Sequence, residues 1–126
     1  MNEKQWAREA LTISGVHAER CMKCGKCSGA CPSYEFMEYH PHQFVDMILK
    51  GEFEKLSNSQ SMYKCLSCFV CVERCPRSVF PANIIEAVRT LTERSIGGDK
   101  ITADMISEMD DVPQQLLMEA FRKFSK

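Results

Sequence analysis

The chain has 126 residues, a formal net charge of −1 and 44% hydrophobic residues, the size of one small domain with room for a trailing segment. That charge argues against a general nucleic-acid binder, no apolar run reaches the roughly 18 residues of a membrane span, and the start Met1-Asn2-Glu3-Lys4-Gln5-Trp6 carries no export signal. A cytoplasmic protein is therefore expected, in which the eight cysteines serve as metal ligands rather than disulfides.

Residues 3 to 14 are predicted to form a helix with Trp6, Ala10 and Ile13 on one face, Asn2 as N-cap and Gly15 as the stop. Val16 to Arg20 lead into a first cysteine run. After it, Tyr34, Phe36 and Tyr39 suggest a short helix or turn, packed in ordinary core or beside whatever the cysteines bind. Pro41 stands where a helix begins, Phe44, Val45, Ile48 and Leu49 give it an apolar face, and Gly51 ends it. Glu52 to Leu56 add a turn before the polar Ser57 to Gln60 and a second cysteine run. Pro81 starts another helix, with Ile84, Ile85, Val88 and Leu91 as its stripe and Gly97-Gly98 as its terminator. Ala103 to Met109 suit a short helix, and Pro113 opens a last one bearing Leu117, Ala120, Phe121 and Phe124. No alternating strand pattern occurs, so the fold class expected is all-α. The segment beyond Gly98 either packs back on the core or docks as a helix in a partner's groove.

The two cysteine runs are copies. Cys21, Cys24, Cys27 and Cys31 with Pro32, and Cys65, Cys68, Cys71 and Cys75 with Pro76, both read C-x2-C-x2-C-x3-C-P, and a shift of 44 residues superposes them. This is the ligand spacing of cubane iron–sulfur clusters, two of them. Thiolates at i, i+3 and i+6 of a straight helix would fan over roughly 120° and about 9 Å of rise, so the segment is expected to wrap as a loop around a compact body. Gly25 and Gly29 permit the tight backbone of such a wrap, and inward N–H groups offset the cluster's negative charge. Structural zinc, the rival, prefers well-separated C-x2–4-C pairs. A zinc-binding assembly module is thus the remote alternative, and no cysteine is left over as a catalytic thiol.

With the long connection Ser33 to Lys64 between the runs, the chain resembles α-helical ferredoxins, and more closely the heterodisulfide reductase C-subunit family. The stretches that carry the likeness are Cys24-Gly25-Lys26-Cys27-Ser28-Gly29-Ala30-Cys31-Pro32-Ser33, Cys75-Pro76-Arg77-Ser78-Val79, Ile84-Ile85 and Val88-Arg89, within roughly residues 5 to 95. The resemblance implies an α-helical ferredoxin domain over 1–98 with two [4Fe-4S] clusters, and a C-terminal helical extension over 99–126. It also implies a non-catalytic electron-transfer subunit, relaying electrons in a complex between a flavin-containing subunit and a cysteine-rich catalytic subunit. The chain itself has no adjacent cysteine pair and no glycine-rich dinucleotide fingerprint. A free-standing ferredoxin, or the iron–sulfur subunit of another reductase of succinate, fumarate or glycolate type, are the alternatives.

In two-cluster ferredoxins with this run the fourth cysteine ligates the other cluster. Carried over, cluster one takes Cys21, Cys24, Cys27 and Cys75, and cluster two takes Cys65, Cys68, Cys71 and Cys31. Arg20, Lys23 and Lys26 flank the first run, against Leu66, Phe69, Val70 and Val72 in the second, with Lys64, Arg74 and Arg77 at its edges. Cations and solvent favour the reduced cluster and a dry apolar shell opposes it, so the first cluster is expected to have the higher potential. The same cations suit an acidic partner. His17, His40 and His42 are expected to be structural or surface residues.

Overall fold

The first helix begins where a reciprocal cap closes. Asn2 Oδ1 accepts the Gln5 N–H at 2.9 Å and Gln5 Oε1 accepts the Asn2 N–H at 2.9 Å, so two donors otherwise orphaned at a helix start are satisfied. The helix so opened, α1 (Glu3–Ser14), ends at Gly15, whose φ of +64° is a left-handed conformation that glycine enters without strain. The computed structural model describes residues 2–94, 101–109 and 111–124. Among these the fold is all-helical, with no strand. Two compact units are distinguished, residues 1–93 and 94–126.

In the first unit α1 is followed by a 3-10 turn (Ala18–Arg20), α2 (Lys26–Gly29), a second 3-10 turn (Tyr34–Phe36), α3 (Pro41–Lys50), α4 (Phe53–Asn58), α5 (Ser61–Lys64), α6 (Val70–Glu73) and α7 (Pro81–Glu93). Helix α7 is the hub, packed by α1, α3, α4, α5 and α6. Its stripe Ile84, Ile85, Val88 and Leu91 is buried against Phe44, Ile48, Leu56 and Met62. Burying a side chain of this kind contributes about 1.5–3 kcal/mol. Gly51 ends α3 at φ +82°, and a Cβ there would stand 3.0 Å from Lys4 Cγ, so conformation and space both select glycine.

Several expected faces are rotated. In α1 the buried residues are Ala7 and Ala10, while Ile13 is exposed; in α3 Met47 is buried and Leu49 exposed. The small alanines let α1 approach α7 closely, which turns the larger Ile13 outward. The aromatic stretch does form a turn, but Phe36 is 72% exposed and Tyr34 46%. Tyr34 instead stacks on His40 with ring centroids 3.9 Å apart. The polar linker after α4 is partly core: buried Ser61 Oγ accepts the Tyr39 N–H at 2.8 Å, and buried Ser59 Oγ donates to Leu56 O at 3.1 Å. The described part of α7 ends at Glu93, and the expected terminator Gly97-Gly98 lies outside the described residues.

The duplication in the sequence is a duplication of structure. The shift of 44 carries α2 onto α6 in length and position, and the 3-10 turn at Ala18–Arg20 onto the last residues of α5. Each cysteine run is followed by a helix that begins at proline, α3 and α7. Like meets like, since α2 packs on α6 and α3 on α7.

In the second unit, α8 (Ala103–Ser107) is capped by Thr102, whose side chain accepts the Met105 N–H at 3.4 Å. Helix α9 (Gln114–Phe124) buries none of its residues, and Leu116 and Met118 are exposed. Ile101 N–H donates to Phe124 O at 3.2 Å. Among the described residues no helix is long and apolar enough to cross a membrane.

Candidate metal centre

Each run starts extended and finishes in a single helical turn. Lys23 (φ +56°) and Gly25 (φ +74°) are left-handed in the first run, and Ser67 (φ +51°) and Phe69 (φ +60°) occupy the same register in the second. A left-handed residue before a right-handed turn aims successive backbone N–H groups into one concavity, the nest geometry found at anion and iron–sulfur sites. Glycine meets this demand in one copy only; Phe69 accepts the strain, of order 1–3 kcal/mol for a non-glycine residue. Gly29, expected to supply a tight turn, lies in α2 without positive φ.

The wrap brings the thiols together in two groups of four. One cavity is lined by Cys21, Cys24, Cys27 and Cys75, and the other by Cys65, Cys68, Cys71 and Cys31. Burial follows the repeat: the second cysteine of each run is exposed, the third buried, and the first and fourth lie between. The walls correspond too. Val45 and Pro81 line the first cavity where Ile85 and Pro41 line the second, and Pro76 stands opposite Pro32.

Four thiols gathered around one space, twice over, fit a pair of clusters. Among the described residues no three His, Cys, Asp or Glu side chains stand close enough to hold a single ion, whereas the corners of a cubane are far apart. Backbone donors are already aimed at sulfur: Lys23 N–H lies 3.4 Å from Cys21 Sγ and Val79 N–H 3.4 Å from Cys75 Sγ. In the second cavity Cys31 Sγ stands 3.9 Å from Met37 Sδ.

Burial pushes the Cys71 thiol up to about 11, against a backbone hydrogen bond from Ala82 that lowers it. Burial likewise raises Cys27 and Cys31, with donors at Ser28 and Ser33 opposing it. Thiols held this high are poor nucleophiles at neutral pH. An iron ligand would stabilise the thiolate here, and its binding would release protons and couple to folding.

Two arginines fix the entries to the runs. Arg89 on α7 donates from Nη2 to Met62 O at 2.5 Å and Cys65 O at 3.2 Å, and from Nε to Met62 O at 3.2 Å. Arg77 Nε donates to Arg20 O at 3.3 Å, just before Cys21. Replacing Arg89 by Met leaves the end of α5 without its donors and is expected to cost about 1–3 kcal/mol. Chelator challenge should then release iron from the second site before the first; unchanged release from both would show that Arg89 does not hold that site.

The charges and apolar groups around the sites differ from expectation. Lys23 pairs with Asp46 at 2.7 Å, and Lys50 pairs with the same carboxylate at 2.5 Å. Hydrogen bonds from Lys23 and then Lys50 hold the Asp46 carboxyl below the usual range, so the Lys23 charge is largely balanced. The apolar shell of the second run is not dry: Leu66 is 68% and Phe69 50% exposed. Both line the second cavity, and at this exposure they rim it rather than cover it.

One lining residue was not singled out by the sequence. His17 is on the surface beside Glu19, and His40 stacks on Tyr34, as structural or surface residues do. His42, however, lines the first cavity. The signal lay in a second register: aligning Pro41 with Pro81 sets His42 against Ala82, which lines the second cavity.

Residues 20–80 match the 4Fe-4S dicluster domain. The chain is 34% identical over 80 residues to the C subunit of ferredoxin:CoB-CoM heterodisulfide reductase from Methanosarcina acetivorans, covering 64% of this chain and 32% of that protein. It is 37% identical over 71 residues to the C2 subunit of H(2)/formate:CoB-CoM heterodisulfide,ferredoxin reductase from Methanococcus maripaludis, covering 56% and 38%. To a protein of Archaeoglobus profundus that is itself described as like the heterodisulfide reductase C subunit it is 32% identical over 88 residues, covering 67% and 47%. The chain thus spans less than half the length of each of these relatives. It carries two [4Fe-4S] clusters in a 4Fe-4S dicluster domain.

Proposed function

We propose that this chain, which belongs with the C subunits of heterodisulfide reductase, is a cytoplasmic electron relay. It takes electrons from a flavin-containing subunit and passes them through its two [4Fe-4S] clusters to a cysteine-rich catalytic subunit. The observation that carries the reading is the pair of matched cavities, each lined by three thiols of one cysteine run and one of the other. We assign Cys21, Cys24, Cys27 and Cys75 to the first cluster and Cys65, Cys68, Cys71 and Cys31 to the second. Residues 1–98 form the cluster-binding domain of this proposal and 99–126 its extension.

The clusters supply one-electron chemistry; the chain supplies position. Sharing one ligand across the repeat ties the runs together and keeps the two centres close, which tunnelling requires. The α2–α6 contact and the α3–α7 contact brace the cavities from two sides. The exposed second cysteine of each run, Cys24 and Cys68, marks the edge through which an electron enters or leaves. Lys26 and Arg74, exposed around a shallow groove between α2 and α6, suit an acidic partner surface. Flavin and disulfide chemistry belong to the partners, because all eight cysteines are committed to clusters and none is spare as a nucleophile.

Anoxic affinity purification at native expression level is the test. Recovery of the chain with a flavoprotein and a cysteine-rich protein, in fixed stoichiometry, is the expected result. A lone, monodisperse monomer with both clusters loaded would favour a free-standing ferredoxin instead.

A further inference from the structure

The walls of the two cavities match at nearly every position, Met37 and Val79 excepted, and this makes their differences informative. Where the second cavity has Ala82, the first has His42. We propose that His42 is a positioning residue whose Nε2–H donates a hydrogen bond to the first cluster and raises that cluster's potential above the second's. The proposal rests on the assignment of Cys21, Cys24, Cys27 and Cys75 to one cluster.

The imidazole is held in place from one side. Ser28, adjacent to Cys27 on α2, is 3% exposed, and its Oγ accepts the His42 backbone N–H at 3.1 Å. The same Oγ stands 2.6 Å from His42 Nδ1. A buried hydroxyl needs an acceptor for its proton; Cys27 also takes a hydrogen bond from the Ser28 side chain, and the short 2.6 Å approach of Nδ1 assigns the proton to the ring. Nδ1 therefore accepts, and the ring proton sits on Nε2. Nε2 makes no protein hydrogen bond among the described residues, while the ring lines the cavity. A donor is thus fixed on α3 in the wall of the space the four thiols surround.

Hydrogen bonds to cluster sulfurs favour the reduced, more negative state. One further feature points the same way: Arg77 lines the first cavity where Ser33 lines the second. At the second site the side chain in the place of His42 is a methyl group, and the donor there is the backbone N–H of Ala82, directed at Cys71.

Potentiometric EPR on anoxically purified His42→Leu and His42→Gln tests this. His42→Leu is expected to lower the reduced-to-oxidised ratio of the first cluster at fixed solution potential by about tenfold, a downward shift of ~59 mV for one electron. The second cluster should not move, and His42→Gln, which keeps an N–H, should recover most of the shift. An unchanged first cluster in His42→Leu, or equal shifts of both clusters, overturns the proposal. Should the leucine variant fail to assemble, pulsed EPR on the unaltered protein with 15N-histidine decides: a nitrogen coupling on the reduced first cluster is expected, and its absence overturns the proposal. Iron and sulfide content separates the two levels. Full loading with no shift rejects His42 alone, whereas loss of iron-sulfide content from the unaltered protein rejects the cluster assignment beneath it.

Discussion

Replacing Cys75 by serine should remove or convert the cluster built on Cys21, Cys24 and Cys27, in the other half of the chain. Cys75 is the last cysteine of the second run, yet it lines the cavity of the first. Iron should fall from about eight to about four per chain when that cluster is lost, and the surviving EPR signal should be that of the second site. Cys31→Ser should give the mirror image, sparing the cluster nearest to it in sequence, because Cys31 lines the cavity of Cys65, Cys68 and Cys71. The physical reason is the proline after each fourth cysteine. It cannot continue the preceding helical turn, so the chain leaves in a new direction and delivers its sulfur to the neighbouring site. If Cys75→Ser destroys only the second cluster, each run binds its own cubane and the crossed arrangement is wrong.

The second large effect lies in the core. Phe44 is fully buried on α3, and Phe44→Ala is expected to cost about 3–5 kcal/mol. That is a large share of the roughly 5–15 kcal/mol typical of a whole domain. The damage should reach both centres, because α3 carries His42 and Val45 into the first cavity and Pro41 into the second. Phe36→Ala is the control: the same residue type, 72% exposed, should change stability by no more than about 0.5 kcal/mol. Denaturant midpoints of the cluster-loaded proteins, read by cluster absorbance and by helicity, compare the two. Equal midpoints would mean that α3 does not brace the sites.

Much of this was legible in the sequence, for reasons that can be named. Helix starts at Asn2, Pro41 and Pro81 and stops at Gly15 and Gly51 are local events, set by capping oxygens, a fixed φ and a left-handed residue. The stripe Ile84, Ile85, Val88 and Leu91 is dense enough to specify its own buried face. Ile13 and Leu49 were misjudged because a helix's periodicity gives a stripe, while the neighbour decides its edge; alanines in α1 and Met47 in α3 shifted that edge. The short helices α2, α5 and α6 escaped notice because four residues are too few to show a period. Phe69 escaped as a left-handed position because its counterpart is Gly25, and composition alone flags only glycine there. His42 was hidden for a different reason. The two halves keep one register through the cysteine runs, offset by 44, and another through the helices that follow, where Pro41 meets Pro81.

Crystals of the anoxically purified protein, measured at the iron absorption edge, test the central claim most directly. The expected map has two four-iron centres, one bonded to Cys21, Cys24, Cys27 and Cys75 and the other to Cys65, Cys68, Cys71 and Cys31. Single-ion density in either cavity, or Cys31 and Cys75 each bonded within its own run, would contradict it.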